Sequence, residues 1–149
     1  MTDEQIDAPL MVNLRAPILL AREMAPILRG PRGGVFLATA STAARTRLGL
    51  QVYGATKGLL VALAWAPYSA GACAVSPVAT DTPMLPRFHG RLAQAAASEG
   101  EVLEAFHKTV PLGRLARPED IADGFVFLAS GGATMIMGPV LNIDGGRNI

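Results

Sequence analysis

Gly30-Pro31-Arg32-Gly33-Gly34-Val35-Phe36-Leu37-Ala38-Thr39-Ala40-Ser41 is the stretch on which the fold turns. Its first five residues cannot extend a helix, because proline lacks the amide a helix needs and glycine readily adopts the backbone that closes one. Residues 35–40 are nearly all apolar, and so short a run predicts a strand buried on both faces. Upstream, Leu10, Met11, Leu14, Ile18, Leu20, Met24 and Ile27 return at helical spacing, with Arg15, Arg22 and Arg29 left for the wet side. Helix, tight turn and buried strand in succession make half of an α/β crossover. Ser41 then falls at the strand's carboxyl end, which in open α/β sheets faces the ligand crevice.

At the amino terminus, Thr2 and Gln5 form a capping-box pattern, and Asp3 and Glu4 suit the positive end of a helix dipole. Pro9 is expected within a first turn, so the main helix is expected to start near Asp7. Pro17 lies inside that helix, where a proline costs about 3 kcal/mol. The bond it deletes is the one its amide would have donated to the backbone carbonyl of Asn13. That carbonyl is left for another donor, and an ordered water is expected there.

Downstream of the strand comes Tyr53-Gly54-Ala55-Thr56-Lys57. Residues four apart share a helix face, so the Tyr53 phenol and the Lys57 ammonium are expected to enter one space. A phenol with a pKa of about 10 is a poor acid–base at neutral pH, and a neighbouring cation lowers that value. Ser41 would add a hydrogen bond to a substrate oxygen as charge develops on it. The same spacing also fits an ordinary amphipathic helix with a snorkelling lysine. The helix continues through Leu59, Leu60, Leu63 and Ala64 and should stop near Pro67, with Trp65 a packing residue. Residues 42–51, with Arg45, Arg47 and Gly49, are expected as a surface loop.

A second short strand is expected at 72–75, followed by a rigid polar loop, Ser76-Pro77-Val78-Ala79-Thr80-Asp81-Thr82-Pro83. Its hydroxyls suit a ligand, and equally suit ordinary turn chemistry. Residues 84–110 have the irregular character of a substrate cover, and His89 and His107 within it are expected at the surface. Pro111-Leu112-Gly113-Arg114 forms a turn. Pro118, Glu119 and Asp120 open a helix whose buried face is Ile121, Phe125, Leu128 and Ala129, ended by Gly131-Gly132. A last strand at 140–143 closes into Asp144-Gly145-Gly146. The fold class is thus α/β, an incomplete Rossmann-type doubly wound sheet of about three parallel strands with flanking helices. Residues 1–149 form a single partial domain.

Composition narrows the function. The 149 residues are half hydrophobic and carry a net charge of +1 with no basic block, so no nucleic-acid partner is expected. Cys73 is the single cysteine, which rules out an intrachain disulfide and a cysteine-based zinc site; no metal is expected and a reducing cytoplasm fits. The most apolar run, residues 58–66, is too short to span a bilayer, and no membrane role is expected. No Gly-x-Ser-x-Gly elbow surrounds Ser41, so a hydrolase is a poor fit.

Taken in order, Val12-Asn13-Leu14, Ala40-Ser41, Tyr53-x-x-x-Lys57, the loop from Ser76 to Thr82, Pro111-Leu112-Gly113-Arg114, Arg117-Pro118-Glu119-Asp120-Ile121-Ala122, Phe127-Leu128-Ala129-Ser130 and Asp144-Gly145-Gly146 resemble the carboxyl-terminal part of a short-chain dehydrogenase/reductase. Within that family the chain resembles the 3-oxoacyl-acyl carrier protein reductase and hydroxysteroid dehydrogenase branch. The resemblance implies a catalytic tetrad of Asn13, Ser41, Tyr53 and Lys57. In it Tyr53 is the general acid–base and Ser41 polarises a carbonyl. Lys57 lowers the tyrosine pKa and holds a nicotinamide ribose, and the Asn13 carbonyl anchors a relay water. It further implies NAD or NADP as cofactor, with contacts at Tyr53, Lys57, Pro77, Val78, Thr80 and Thr82. The substrate is expected to be a small carbonyl or alcohol, handled by a homo-oligomer.

The sequence also departs from the family. Val78 stands where a glycine is usual and Cys73 where an asparagine is frequent. No Gly-rich strand–turn–helix opens the chain, and Gly30 to Gly34 cannot serve, because they follow a helix and precede a strand. The expectation is a truncated chain, impaired alone. Its strand at Val35 should present an open apolar edge, and pairing with an intact relative as an assembly partner is the alternative to catalysis.

Overall fold

A computed structural model describes residues 1–31, 33–45, 51–64, 71–85 and 99–148, without the side chains of residues 64, 71, 99, 102, 103 and 105. Arg47, Gly49, Trp65, Pro67 and His89, and residues 86–98 of the expected cover segment, lie outside the described residues.

The first helical arm starts at Asp3, four residues earlier than expected from Pro9. Thr2 caps it: its hydroxyl accepts from the Gln5 amide at 3.3 Å, and the Gln5 side chain accepts from the Thr2 amide at 3.0 Å. This reciprocal cap holds the first turn, so α1 (Asp3–Leu10) carries Pro9 in its interior. A π-helical turn, Met11–Arg15, joins it to α2 (Ala16–Leu28). In that turn the Ala16 amide reaches back five residues to the Met11 carbonyl, one residue beyond the α pattern. The wide turn ends at Arg15, two residues before Pro17, whose missing amide interrupts the ladder in any case.

Helix α2 ends before Gly30, and Gly33 takes a φ of 63°, a left-handed conformation suited to glycine. The chain then enters β1 (Val35–Thr39), followed by a 3-10 turn, Thr42–Ala44, and α3 (Gln51–Ala64). The expected surface loop after Ser41 is therefore a tight turn at its start, with Thr42 buried. Strand β2 (Gly71–Pro77) outlasts its expected end by two residues, so Ser76 and Pro77 belong to the sheet. Helices α4 (Glu99–Lys108) and α5 (Pro118–Ala129) precede β3 (Val140–Ile143).

The three strands are parallel in the order β1-β2-β3. Alternation sorts their side chains onto two faces. On one face Ala38, Ala40 and Ala74 meet Leu60 of α3, with Phe36, Val61 and Val140 around them. Three alanines there let the helix lie close to the sheet. On the other, Cys73, Val75 and Leu128 form a cluster with Val35, Leu37, Ile121, Phe125, Leu141 and Ile143. Helix α5 supplies this cover, but Ala129 is exposed and Gly124 is buried in its place.

Among the described residues β1 pairs with β2 alone, and its other side is an edge. Along that edge runs a groove of about 530 Å³ walled by Val12, Asn13, Pro17 and Leu20 of the first helical arm, residues 36–39 of β1, and Lys57 and Leu60. The open apolar edge expected from the sequence is thus present. No described helix is long and apolar enough to cross a membrane.

Candidate active site

Ser41 is placed by the end of β1. Its extended backbone lets the hydroxyl accept from the Ala43 amide at 3.1 Å, capping the 3-10 turn. Helix α3 brings Tyr53 beside it, and the Ser41 side chain acts on the phenol. Both line a cavity of about 190 Å³ at the carboxyl ends of β1 and β2, together with Pro77, Val78, Thr80 and Thr82. Met84, Leu85, Phe106 and Arg147 complete the far wall. Of the residues singled out from the sequence, this cavity collects Ser41, Tyr53 and the four loop positions.

Asn13 and Lys57 lie on the other side of Thr39, in the edge groove, and Thr39 lines both spaces. The Lys57 ammonium donates to the Thr39 carbonyl at 2.7 Å and sits 5.7 Å from the centre of the Tyr53 ring. Because the Ala40 amide donates to Val75 of β2, strand alternation turns the Thr39 carbonyl outward to the edge. Lys57 therefore caps an edge carbonyl that no described strand bonds.

This arrangement alters the expected electrostatics. Burial pushes the Tyr53 phenol above its ordinary pKa, and the Ser41 side chain only partly opposes that. The expected lowering by Lys57 is not seen, because the ammonium is directed at a carbonyl and not at the phenol oxygen. Burial also lowers the pKa of Lys57 itself.

Asn13 acts here through its side chain. Its amide Nδ2 donates to Thr56 Oγ1 at 3.1 Å, and Thr56, fully buried, donates in turn to the Tyr53 carbonyl at 2.8 Å. The first arm is thereby tied to the backbone of the helix turn that presents Tyr53.

The loop after β2 is strapped at several points. The Val78 amide donates to Ile143 of β3, and the Asp81 amide to Ala116. Thr80 and Thr82 donate their hydroxyls to the carbonyls of Val78 and Thr80, at 2.9 and 3.4 Å. Both hydroxyls thus do turn work while facing the cavity. Val78 packs with Val110 and Ala116. Cys73 is buried in the sheet, and its Sγ approaches the Ile136 carbonyl at 3.8 Å.

Thr56, Phe106 and Arg147 were missed from sequence. Arg147 had a usable signal: it follows Asp144-Gly145-Gly146 at the carboxyl end of a strand, the same argument that singled out Ser41. Thr56 stands inside the Tyr-x-x-x-Lys stretch but joins the site only through a partner 43 residues away.

A family model described as enoyl-(acyl carrier protein) reductase matches residues 1–148. The chain is 33% identical to the 4-formylbenzenesulfonate dehydrogenase of Comamonas testosteroni, over all of this chain and 60% of that protein. It is 32% identical to the L-xylulose reductase of Bos taurus, over 98% of this chain and 60% of that one. Its fold superimposes on the crystal structure of a 3-ketoacyl-(acyl-carrier-protein) reductase from Brucella melitensis complexed with NADH, with a TM-score of 0.83 and 33% identity, covering 99% of this chain and 60% of the other. The chain thus spans about 60% of the length of these relatives.

Proposed function

This chain belongs to the short-chain dehydrogenase/reductase family of NAD(P)-dependent oxidoreductases, and from that premise we propose that it carries the catalytic face of an enzyme interconverting a hydroxyl and a carbonyl on a small molecule. The observation that carries this reading is the meeting of Ser41 and Tyr53 on one cavity at the carboxyl ends of two parallel strands.

The described residues fit one end of a nicotinamide cofactor. Pro77, Val78, Thr80 and Thr82 offer an apolar wall with backbone polar groups beside Tyr53, suited to a flat amide-bearing ring. The pyrophosphate end has no equivalent, since the sequence contains no Gly-rich turn between a strand and a following helix. The activity proposed is that of the family's full-length architecture. NAD against NADP is left open by the residues present.

A bound nicotinamide supplies the hydride. In reduction, Ser41 donates a hydrogen bond to the substrate carbonyl oxygen, and Tyr53 passes its phenolic proton to that oxygen as negative charge builds there. Burial keeps the phenol protonated at neutral pH, the state this step needs. In oxidation Tyr53 must begin as phenolate, which the same burial opposes. Lys57, 5.7 Å from the ring, is the cation within reach to offset that cost once it leaves Thr39. Asn13 positions the helix turn through Thr56.

The open edge of β1 and its groove favour a second reading, a non-catalytic partner of an intact relative. Titration of the 149-residue chain with NADH and NADPH, followed by nicotinamide fluorescence beside sedimentation, separates the two. Saturable binding by a folded species, with turnover abolished in Tyr53→Phe, supports the enzyme. A soluble oligomer that binds neither nucleotide supports the partner.

A further inference from the structure

Arg147 lines the same cavity as Ser41 and Tyr53 and is the one lysine or arginine among the residues that do. It rests over the Phe106 ring of α4, its Cζ 5.5 Å from the ring centre. It is only partly exposed, and no described carboxylate lies within ion-pair distance of it. The nearest acid in sequence, Asp144, is buried and already committed: one oxygen accepts from the Gly146 amide at 3.0 Å and the other from Asn148 Nδ2 at 2.8 Å. Its charge acts on Arg147 through space without neutralising its donors.

A half-buried guanidinium stacked on an aromatic face keeps its fork of N–H donors free at the edge, and that fork matches an oxyanion. The backbone fixes its position. Gly145 and Gly146 take φ values of 59° and 87°, turning the chain from β3 back over the cavity mouth. A β-carbon on Gly145 would run into Val110, so the turn is also held from behind.

We infer that Arg147 is the anion subsite of this pocket, and that the substrate is a small carbonyl compound or its alcohol bearing a carboxylate, sulfonate or phosphate group. The inference rests on the oxidoreductase reading and adds the charge class of its substrate. Within about 190 Å³, an oxyanion on Arg147 and a carbonyl between Ser41 and Tyr53 belong to the two ends of one short molecule. A cavity of roughly 150 Å³ holds a benzene ring, which sets the scale.

The test is a binding comparison on the 149-residue chain, using 4-oxopentanoate and its neutral counterpart 4-oxopentanamide as probes in ligand-observed NMR. The expected result is about tenfold tighter binding of the acid, a preference that shrinks as ionic strength rises. Arg147→Met should bring the ratio to one, and Arg147→Lys should keep part of it, which guards against a methionine variant that fails to fold. Equal binding of the two probes by the unaltered chain, no binding of either, or a preference that survives Arg147→Met would each overturn the subsite. Tyr53→Phe should leave the ratio unchanged. Turnover that persists in Tyr53→Phe counts against the acid–base reading, while the probe ratio reports on Arg147 alone.

Discussion

A β-carbon placed on Gly54 would meet the Ala43 carbonyl oxygen at 2.7 Å, so helix α3 and the turn that follows Ser41 touch backbone to backbone beside Ser41 and Tyr53. Gly54→Ala cannot be absorbed by a rotamer change, because the obstructing atom is main chain. It should destabilise the fold by about 1–3 kcal/mol in urea melts and lower turnover by separating Ser41 from Tyr53. Gly58, one helical turn on, has open space where its β-carbon would go. Gly58→Ala should instead stabilise by roughly 0.5–1 kcal/mol. Two alanines of opposite sign on one helix would locate the contact; equal effects would remove it.

Tyr53→Phe should cost about 10²- to 10⁴-fold in the rate of carbonyl reduction, the usual worth of a positioned general acid, with little change in melting temperature. Because burial raises the phenol's pKa, the protonated form is held to a higher pH than in a free tyrosine. Reduction should therefore stay level through neutral pH and fall in the alkaline range. Oxidation, which needs the phenolate, should climb over that same range. A reduction rate that falls near pH 7 would contradict the raised phenol.

Asn13 and Thr56 are coupled by a buried hydrogen bond, and the coupling is measurable. Asn13→Ala should cost about 1 kcal/mol and Thr56→Val about 1–3 kcal/mol, since the valine removes both the acceptor of Asn13 and the hydroxyl donor to the Tyr53 carbonyl. The double variant should lose less than the sum, by about 0.5–1.5 kcal/mol. Strict additivity in chemical denaturation would show that the two side chains do not support each other.

Asp120 anchors the start of α5. Its carboxylate accepts from Arg114 at 2.6 Å and from the Arg117 amide at 2.7 Å, and these donors hold its pKa well below the usual carboxylate range. With a folded pKa depressed below the unfolded one, the unfolded chain takes up the proton first. Stability from this group is full above about pH 4 and is lost as pH falls through the folded value. Asp120→Asn should flatten that part of the acid-unfolding curve, and an unaltered curve would show the cluster to be ornamental.

Much of this architecture could be read from local pattern. Strand β3 spans its expected residues, and β1 and β2 fall within two residues of theirs, because short apolar runs between turn residues leave few alternatives. The Tyr53–Lys57 spacing put both residues on one helix, as expected. Where Lys57 points was not local information. It depends on an outward carbonyl at Thr39, 18 residues away, and on the edge that leaves it unbonded. The first helical arm starts before the point Pro9 suggests, because the Thr2–Gln5 cap holds the helix in front of the proline and a π turn carries it on.

The one-sided pairing of β1 should also be written in the rate at which the sheet trades hydrogen for deuterium. Strand β2 lies between two partners, with Ala74 and Val75 wholly buried, and its amides should be the slowest to exchange. The amides of Leu37 and Thr39 alternate with that of Ala40 and so face away from β2. They should exchange fast, and any polypeptide that lengthens the sheet at this edge would register first as slowed exchange at those two positions.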